Sequence, residues 1–249
     1  MPSYAQRRAA SLARPAVDLR HYLTSVVRQQ GPRPLCVPFS LAAAHEAVRR
    51  SVAIAGAREL AVEPIWQHCL NAGHAGHNGT TLDAGGEALR DKGQTCETDW
   101  PYNSTLGAGT ESEPQSATDG EWYSATTIDV PLAHDGVEDL LEDVLEVGCP
   151  IVLVVEITSQ FELPESGGEI ATPPLNAPVG DYHAVLILGT GTNADSTARR
   201  LLARNSWGQG WGAGGYGWLP LDYLIAFAVQ AAAIDPASLA STTSGGVGP

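Results

Sequence analysis

A polar loop rich in glycine and proline, Gln29-Gln30-Gly31-Pro32-Arg33-Pro34-Leu35, ends at a lone cysteine, Cys36. An Ala-rich segment follows at once, Val37-Pro38-Phe39-Ser40-Leu41-Ala42-Ala43-Ala44-His45-Glu46-Ala47-Val48. Pro38 suits a first helical turn, where backbone N–H groups lack intrahelical partners anyway. The pattern predicts a helix from Cys36 to about Ile54, with Arg49 and Arg50 placed favourably near its C-terminal end. A thiol at a helix N-terminus meets exposed N–H groups and the positive end of the dipole, both of which favour the thiolate. Gln30, just ahead, can offer an amide N–H to a developing oxyanion. A buried structural cysteine starting a helix would look the same from this stretch alone.

The second half of the chain supplies partners. Asp181-Tyr182-His183-Ala184-Val185-Leu186-Ile187-Leu188-Gly189 puts a histidine at the head of an apolar strand. Arg204-Asn205-Ser206-Trp207-Gly208-Gln209-Gly210-Trp211-Gly212 ends another strand with an asparagine close to a tryptophan. The order Gln30, Cys36, His183, Asn205 resembles the papain-like cysteine peptidases, and the wide Cys-to-His separation suits that family. The Asn-Ser-Trp-Gly run is its most specific motif.

The resemblance implies roles. Cys36 would be the nucleophile, His183 the base that then protonates the leaving amine, and Asn205 the group that orients the imidazole. Gln30 and the Cys36 backbone N–H would hold the oxyanion. Trp207 would shield the Asn205–His183 bond from water and stand on the substrate side. Gly79 would pair with substrate backbone. Asp181 falls where the family lines the pocket for the residue one beyond the scissile one, and would favour a basic side chain there. Val37 departs from the Trp that usually follows the nucleophile, and Pro32 to Leu35 replace the family's Gly/Ser/Cys loop. These changes are read as an altered loop shape rather than lost catalysis.

Helical signals gather before about residue 125 and strand signals after it. This is an α+β pattern, and with the resemblance it implies a papain-like two-lobe fold. A helical lobe over 16–125 would pack against an antiparallel β-sheet or barrel lobe over 126–235, with the cleft between them. Residues 1–15 are expected as a flexible arm and 236–249 as a disordered tail. Asn103–Gly120 reads as a surface insertion, Phe161–Pro178 as a long loop, and Leu221–Ala233 as a helix or closing segment. Gly136–Gly148 reads as an amphipathic helix with a solvated acidic face. Ala16-Val17-Asp18-Leu19-Arg20 resembles the opening of mature papain-like chains, so the long inhibitory propeptide of the family is not expected. Gly79-Thr80-Thr81-Leu82 and Trp100-Pro101-Tyr102 resemble bacterial members.

Composition narrows the partners. With 14 basic and 28 acidic residues among 249, the net charge of −14 repels nucleic acid and anionic membrane, leaving a protein or peptide substrate as the expected partner. No apolar run suits a signal peptide or a membrane span. Extracellular family members carry a disulfide-forming cysteine near the position of Arg33. Setting Cys36 aside leaves Cys69, Cys96 and Cys149, an odd number, so reduced thiols and a cytoplasmic setting are expected. Export by a specialised secretion machine would leave no mark. His68, Cys69, His74 and His77 match no standard zinc spacing, and neither metal nor cofactor is expected. The expected reaction is hydrolysis of a peptide or isopeptide bond through an acyl-enzyme. The alternatives are a catalytically silent peptide-binding module and acyl transfer to an amine by the same chemistry.

Overall fold

The computed structural model describes residues 4–54, 56–105, 112–132, 137–192 and 197–240. Its helices are α1 (Tyr4–Leu12), α2 (Cys36–Ser51), α3 (Glu63–Asn71), α4 (Leu82–Asp91), α5 (Gln115–Thr118), α6 (Val137–Glu146), α7 (Ser159–Glu162) and α8 (Leu221–Phe227). Its strands are β1 (Val17–Asp18), β2 (Ala75–Gly76), β3 (Gly79–Thr80), β4 (Thr127–Asp129), β5 (Ile151–Glu156), β6 (Tyr182–Thr192), β7 (Arg199–Arg204), β8 (Tyr216–Pro220) and β9 (Ala228–Ile234).

The main sheet runs β4-β9-β5-β6-β7-β8, antiparallel throughout, with β1 paired onto β6. Among the described residues β4 and β8 do not meet, so the sheet is open and the barrel alternative does not hold. Helix α2 lies across β6, β5 and β9, while α6 also packs on β6. With helices against it, β6 is apolar at consecutive positions rather than alternating, and Ala184 to Leu188 are all buried. The alanines of α2 explain its place. Ala42, Ala43, Ala44 and Ala47 are buried with Leu41 and Val48, and their short side chains let the helix approach closely. Gly189 is fixed by contact: a Cβ there would meet the Val17 carbonyl oxygen at 2.2 Å, inside the β1–β6 pairing.

Four expectations change in the structure. The 1–15 segment carries α1, and Arg14 beyond it bonds Glu146 at 2.9 Å and also Asp143 on α6. The acidic face of α6 is accordingly not simply solvated, since buried Glu142 pairs with buried Arg199 at 2.6 Å. Leu221–Ala233 divides into α8 and then β9, because pairing with β4 and β5 overrides the helical propensity of the alanines. At the start of the expected tail, Pro236–Ala240 forms a 3₁₀ turn with Leu239 buried, and the Ser238 hydroxyl accepts from the Thr126 N–H at 2.9 Å. Residues 241–249 lie outside the described residues, as do 106–111 of the expected insertion. No described helix is long and apolar enough to cross a membrane.

Candidate active site

Cys36 is the first residue of α2, half-buried, and its thiol faces the backbone N–H groups of Ala184, Val37 and Cys36 itself. Those N–H groups favour the thiolate, but burial is the larger effect and pushes the Cys36 thiol up. The helix N-terminus therefore does not lower the thiol alone, as sequence reasoning expects. Burial likewise pushes the buried His183 imidazole down to about 4, partly opposed by its bond to Asn205. Each group by itself prefers its neutral form. A charged pair would require one proton to move from the thiol to the imidazole, with each charge stabilising the other. None of the four cysteines is paired.

The tautomer of His183 follows from hydrogen bonding. Asn205 Oδ1 lies 2.7 Å from the Ser206 backbone nitrogen, which can only donate, so this atom is the amide oxygen. The same oxygen lies 2.7 Å from His183 Nε2. Nε2 must then carry the proton and donate it to Asn205. In the neutral ring Nδ1 keeps a lone pair.

Gln30 is brought alongside Asn205 by the backbone. The Gln30 N–H donates to the Ser206 carbonyl at 2.8 Å, and Gly208 N–H donates to Arg28 at 3.0 Å, forming a short antiparallel ladder. The Ser206 hydroxyl donates to Gln30 Oε1 at 2.6 Å, and Gln30 Nε2 donates to the Arg33 carbonyl at 2.9 Å. Oxygen and nitrogen of the Gln30 amide are thus distinguished, and Nε2 retains a second N–H.

Aromatic rings enclose the imidazole. Trp207 lies 4.5 Å from His183 between ring centroids, Phe161 lies 6.0 Å away, and Phe161 meets Trp207 edge-on at 5.7 Å. The Trp211 indole N–H donates to the Phe161 carbonyl at 3.0 Å, fixing α7 beside the ring. Sequence reasoning missed Phe161, whose loop carries no local signal. It also missed Ser206, although Ser206 lies inside the Asn-Ser-Trp-Gly motif. Gly79 has φ +92°, left-handed backbone that strains other residues, and it lies against Pro34. Asp181 is exposed just before β6, and its carbonyl accepts from Ile157 N–H at 3.0 Å. The structure joins Gln30 to Asn205 through Ser206, and Asn205 to His183 beside Trp207. The Cys36 thiol faces the N–H of Ala184, the residue after His183. Asp181 stays at the strand head, and Gly79 lies against Pro34 in the loop before Cys36. His68, Cys69, His74 and His77 form no metal-type cluster among the described residues.

Comparison with known proteins gives one family. The model for papain family cysteine proteases matches residues 14–226. Cysteine protease 1 of Oryza sativa subsp. japonica is 28% identical over 198 residues, which is 76% of this chain and 37% of the rice protein. Ananain of Ananas comosus is 34% identical over 88 residues, 35% of this chain and 24% of its own length. The chain thus spans well under half the length of these curated relatives. Among solved structures, xylellain, a cysteine protease from Xylella fastidiosa, superposes with a TM-score of 0.73 at 25% identity, covering 94% of this chain and 90% of its own. The bromelain protease from Ananas comosus, in complex with the E64 inhibitor, has a similar fold, with a TM-score of 0.67 at 22% identity over 88% of this chain and 97% of its own. With the family model covering most of its length, the chain belongs to the papain family of cysteine proteases.

Proposed function

We propose that this chain is a peptidase that hydrolyses protein or peptide substrates through a thioester, with Cys36, His183, Asn205 and Gln30 as its working groups. The observation that carries this reading is the double acceptance at Asn205 Oδ1. It supports the Nε2–H tautomer and leaves Nδ1 to take the thiol proton. The Cys36 thiolate then attacks the scissile carbonyl carbon, and the resulting oxyanion is held by Gln30 Nε2–H and the Cys36 N–H. Collapse breaks the C–N bond as the imidazolium gives its proton to the leaving amine. Water, deprotonated by Nδ1, attacks the thioester, releases the acid product, and the proton returns to sulfur. Trp207 and Phe161 keep water from the Asn205–His183 bond, where a shielded hydrogen bond is stronger. The likeness to xylellain supports a bacterial-type member.

Incubation with a mixed peptide library, read by mass spectrometry, tests the activity. Cleavage by the wild-type chain and none by Cys36→Ala is expected; an intact library with folded wild-type protein contradicts it. The exposed Asp181 supports a preference for a basic side chain at the second position before the cleavage point. Asp181→Ala should erase that preference, and an unchanged cleavage pattern overturns this part alone.

A pH profile tests Asn205. Its acceptance from Nε2–H holds the His183 imidazole upward against burial. Without it, the imidazolium loses its proton at lower pH. In Asn205→Ala the alkaline limb of kcat/KM should therefore move toward acid by about one pH unit. An unmoved limb contradicts the orienting role.

A further inference from the structure

One carbonyl joins the Gln30 side chain to the start of α2. The Arg33 oxygen accepts from Gln30 Nε2 at 2.9 Å and from the Leu35 N–H, also at 2.9 Å, one residue before Cys36. The side chain of the same residue anchors it. The Arg33 guanidinium and the Glu63 carboxylate have side chains only 2% and 1% exposed, and they meet as a two-pronged fork, with Nη2 to Oε2 at 2.9 Å and Nη1 bonded to Oε1. Nη1 also donates to the Asn103 carbonyl at 3.0 Å, and the guanidinium lies 5.0 Å from the centre of the Tyr102 ring. The Tyr102 hydroxyl closes the circuit by donating to the Gln30 carbonyl at 2.5 Å.

A buried ion pair gains little net stability over an apolar pair of similar volume, so stability does not explain this one. What a planar guanidinium on a carboxylate does provide is fixed orientation. Glu63 opens α3, so the fork ties the Gln30–Leu35 loop to a helix, and the Asn103 bond adds a second anchor.

We propose that Arg33 and Glu63 are positioning residues for the oxyanion site. Their ion pair fixes the Arg33 carbonyl, which in turn aims the remaining Gln30 N–H at the reacting carbonyl. Neither residue touches substrate. The proposal rests on the peptidase reading and on Gln30 as oxyanion donor.

A double-mutant cycle on the full chain tests it, with kcat and KM measured separately on one peptide and folding checked by thermal melting. Gln30→Ala should lower kcat/KM by about 10²-fold. Glu63→Gln should lower kcat by about tenfold with little change in KM, because a misaimed donor weakens the transition state rather than substrate binding. In the Gln30→Ala background Glu63→Gln should cost nothing further, since its route to catalysis is already gone. Additive losses overturn the positioning role while leaving the oxyanion role of Gln30 intact. No loss in Gln30→Ala, with peptide still cleaved, overturns that role and this proposal with it. Should Glu63→Gln unfold, the apolar pair Arg33→Met with Glu63→Leu replaces it, since such exchanges preserve folding. The same kcat loss is expected from that pair, and wild-type kcat in it overturns the proposal.

Discussion

Cys36→Ala and His183→Ala should each lower kcat/KM on a peptide by roughly 10⁴-fold or more, and the double variant should be no worse than either alone. The non-additivity is the informative part. Burial favours the neutral thiol and the neutral imidazole separately, so neither charge is useful without the other. Losing the histidine strands the thiol in its unreactive form, and losing the thiol leaves the imidazole nothing to activate. Circular dichroism and melting on each variant separate lost chemistry from lost folding. Additive losses would mean that the two groups act independently and that the proton does not pass between them.

The second large effect concerns acid. His45 lies midway along α2, fully buried, and neither ring nitrogen has a hydrogen-bond partner among the described residues. Burial, with Arg49 one turn further on, pushes its imidazole down to about 3. An unfolded chain binds that proton near pH 6.5, so below this value the unfolded state takes up protons that the folded state refuses. Stability from His45 is complete above about pH 6.5 and is lost as pH falls toward 3, by ~5 kcal/mol in all. His183, held at about 4, acts in the same direction. Together they should make the chain markedly less stable in mild acid than at neutral pH. Urea melts at pH 7 and pH 4.5 test this with His45→Leu. Between those values the variant should lose about 3 kcal/mol less stability than wild type. Equal losses would show that His45 finds a proton-accepting partner in the folded state.

How much was legible in the sequence depended on how local each signal was. Pro38 and the alanines mark the start of α2, and the Asn-Ser-Trp-Gly run marks the end of β7, so with the family resemblance Gln30, Cys36, His183 and Asn205 can be proposed from the chain alone. The direction of the Cys36 shift could not, because burial depends on what packs over the thiol. Strand β9 was hidden because Ala228–Ile234 has no strand-like pattern of its own and is extended by β4 and β5. Arg33 read as a loop substitution. Its pairing with Glu63 and the Asn103 carbonyl joins segments far apart in the chain. Phe161 reads as the start of a loop, yet it lies in the short helix α7 that the Trp211 indole pins beside His183. Arg14, in what reads as a loose arm, engages α6 through charges more than 120 positions away.

The most direct measurement is intact mass after brief exposure to an epoxysuccinyl inhibitor at neutral pH, followed by peptide mapping. Among the four free thiols, Cys69, Cys96 and Cys149 are buried, whereas Cys36 is only half-buried. The expected result is one adduct on Cys36, absent in Cys36→Ala and formed far more slowly in His183→Ala. An unlabelled, folded wild-type protein, or equal labelling rates with and without His183, would contradict a nucleophile activated by that histidine.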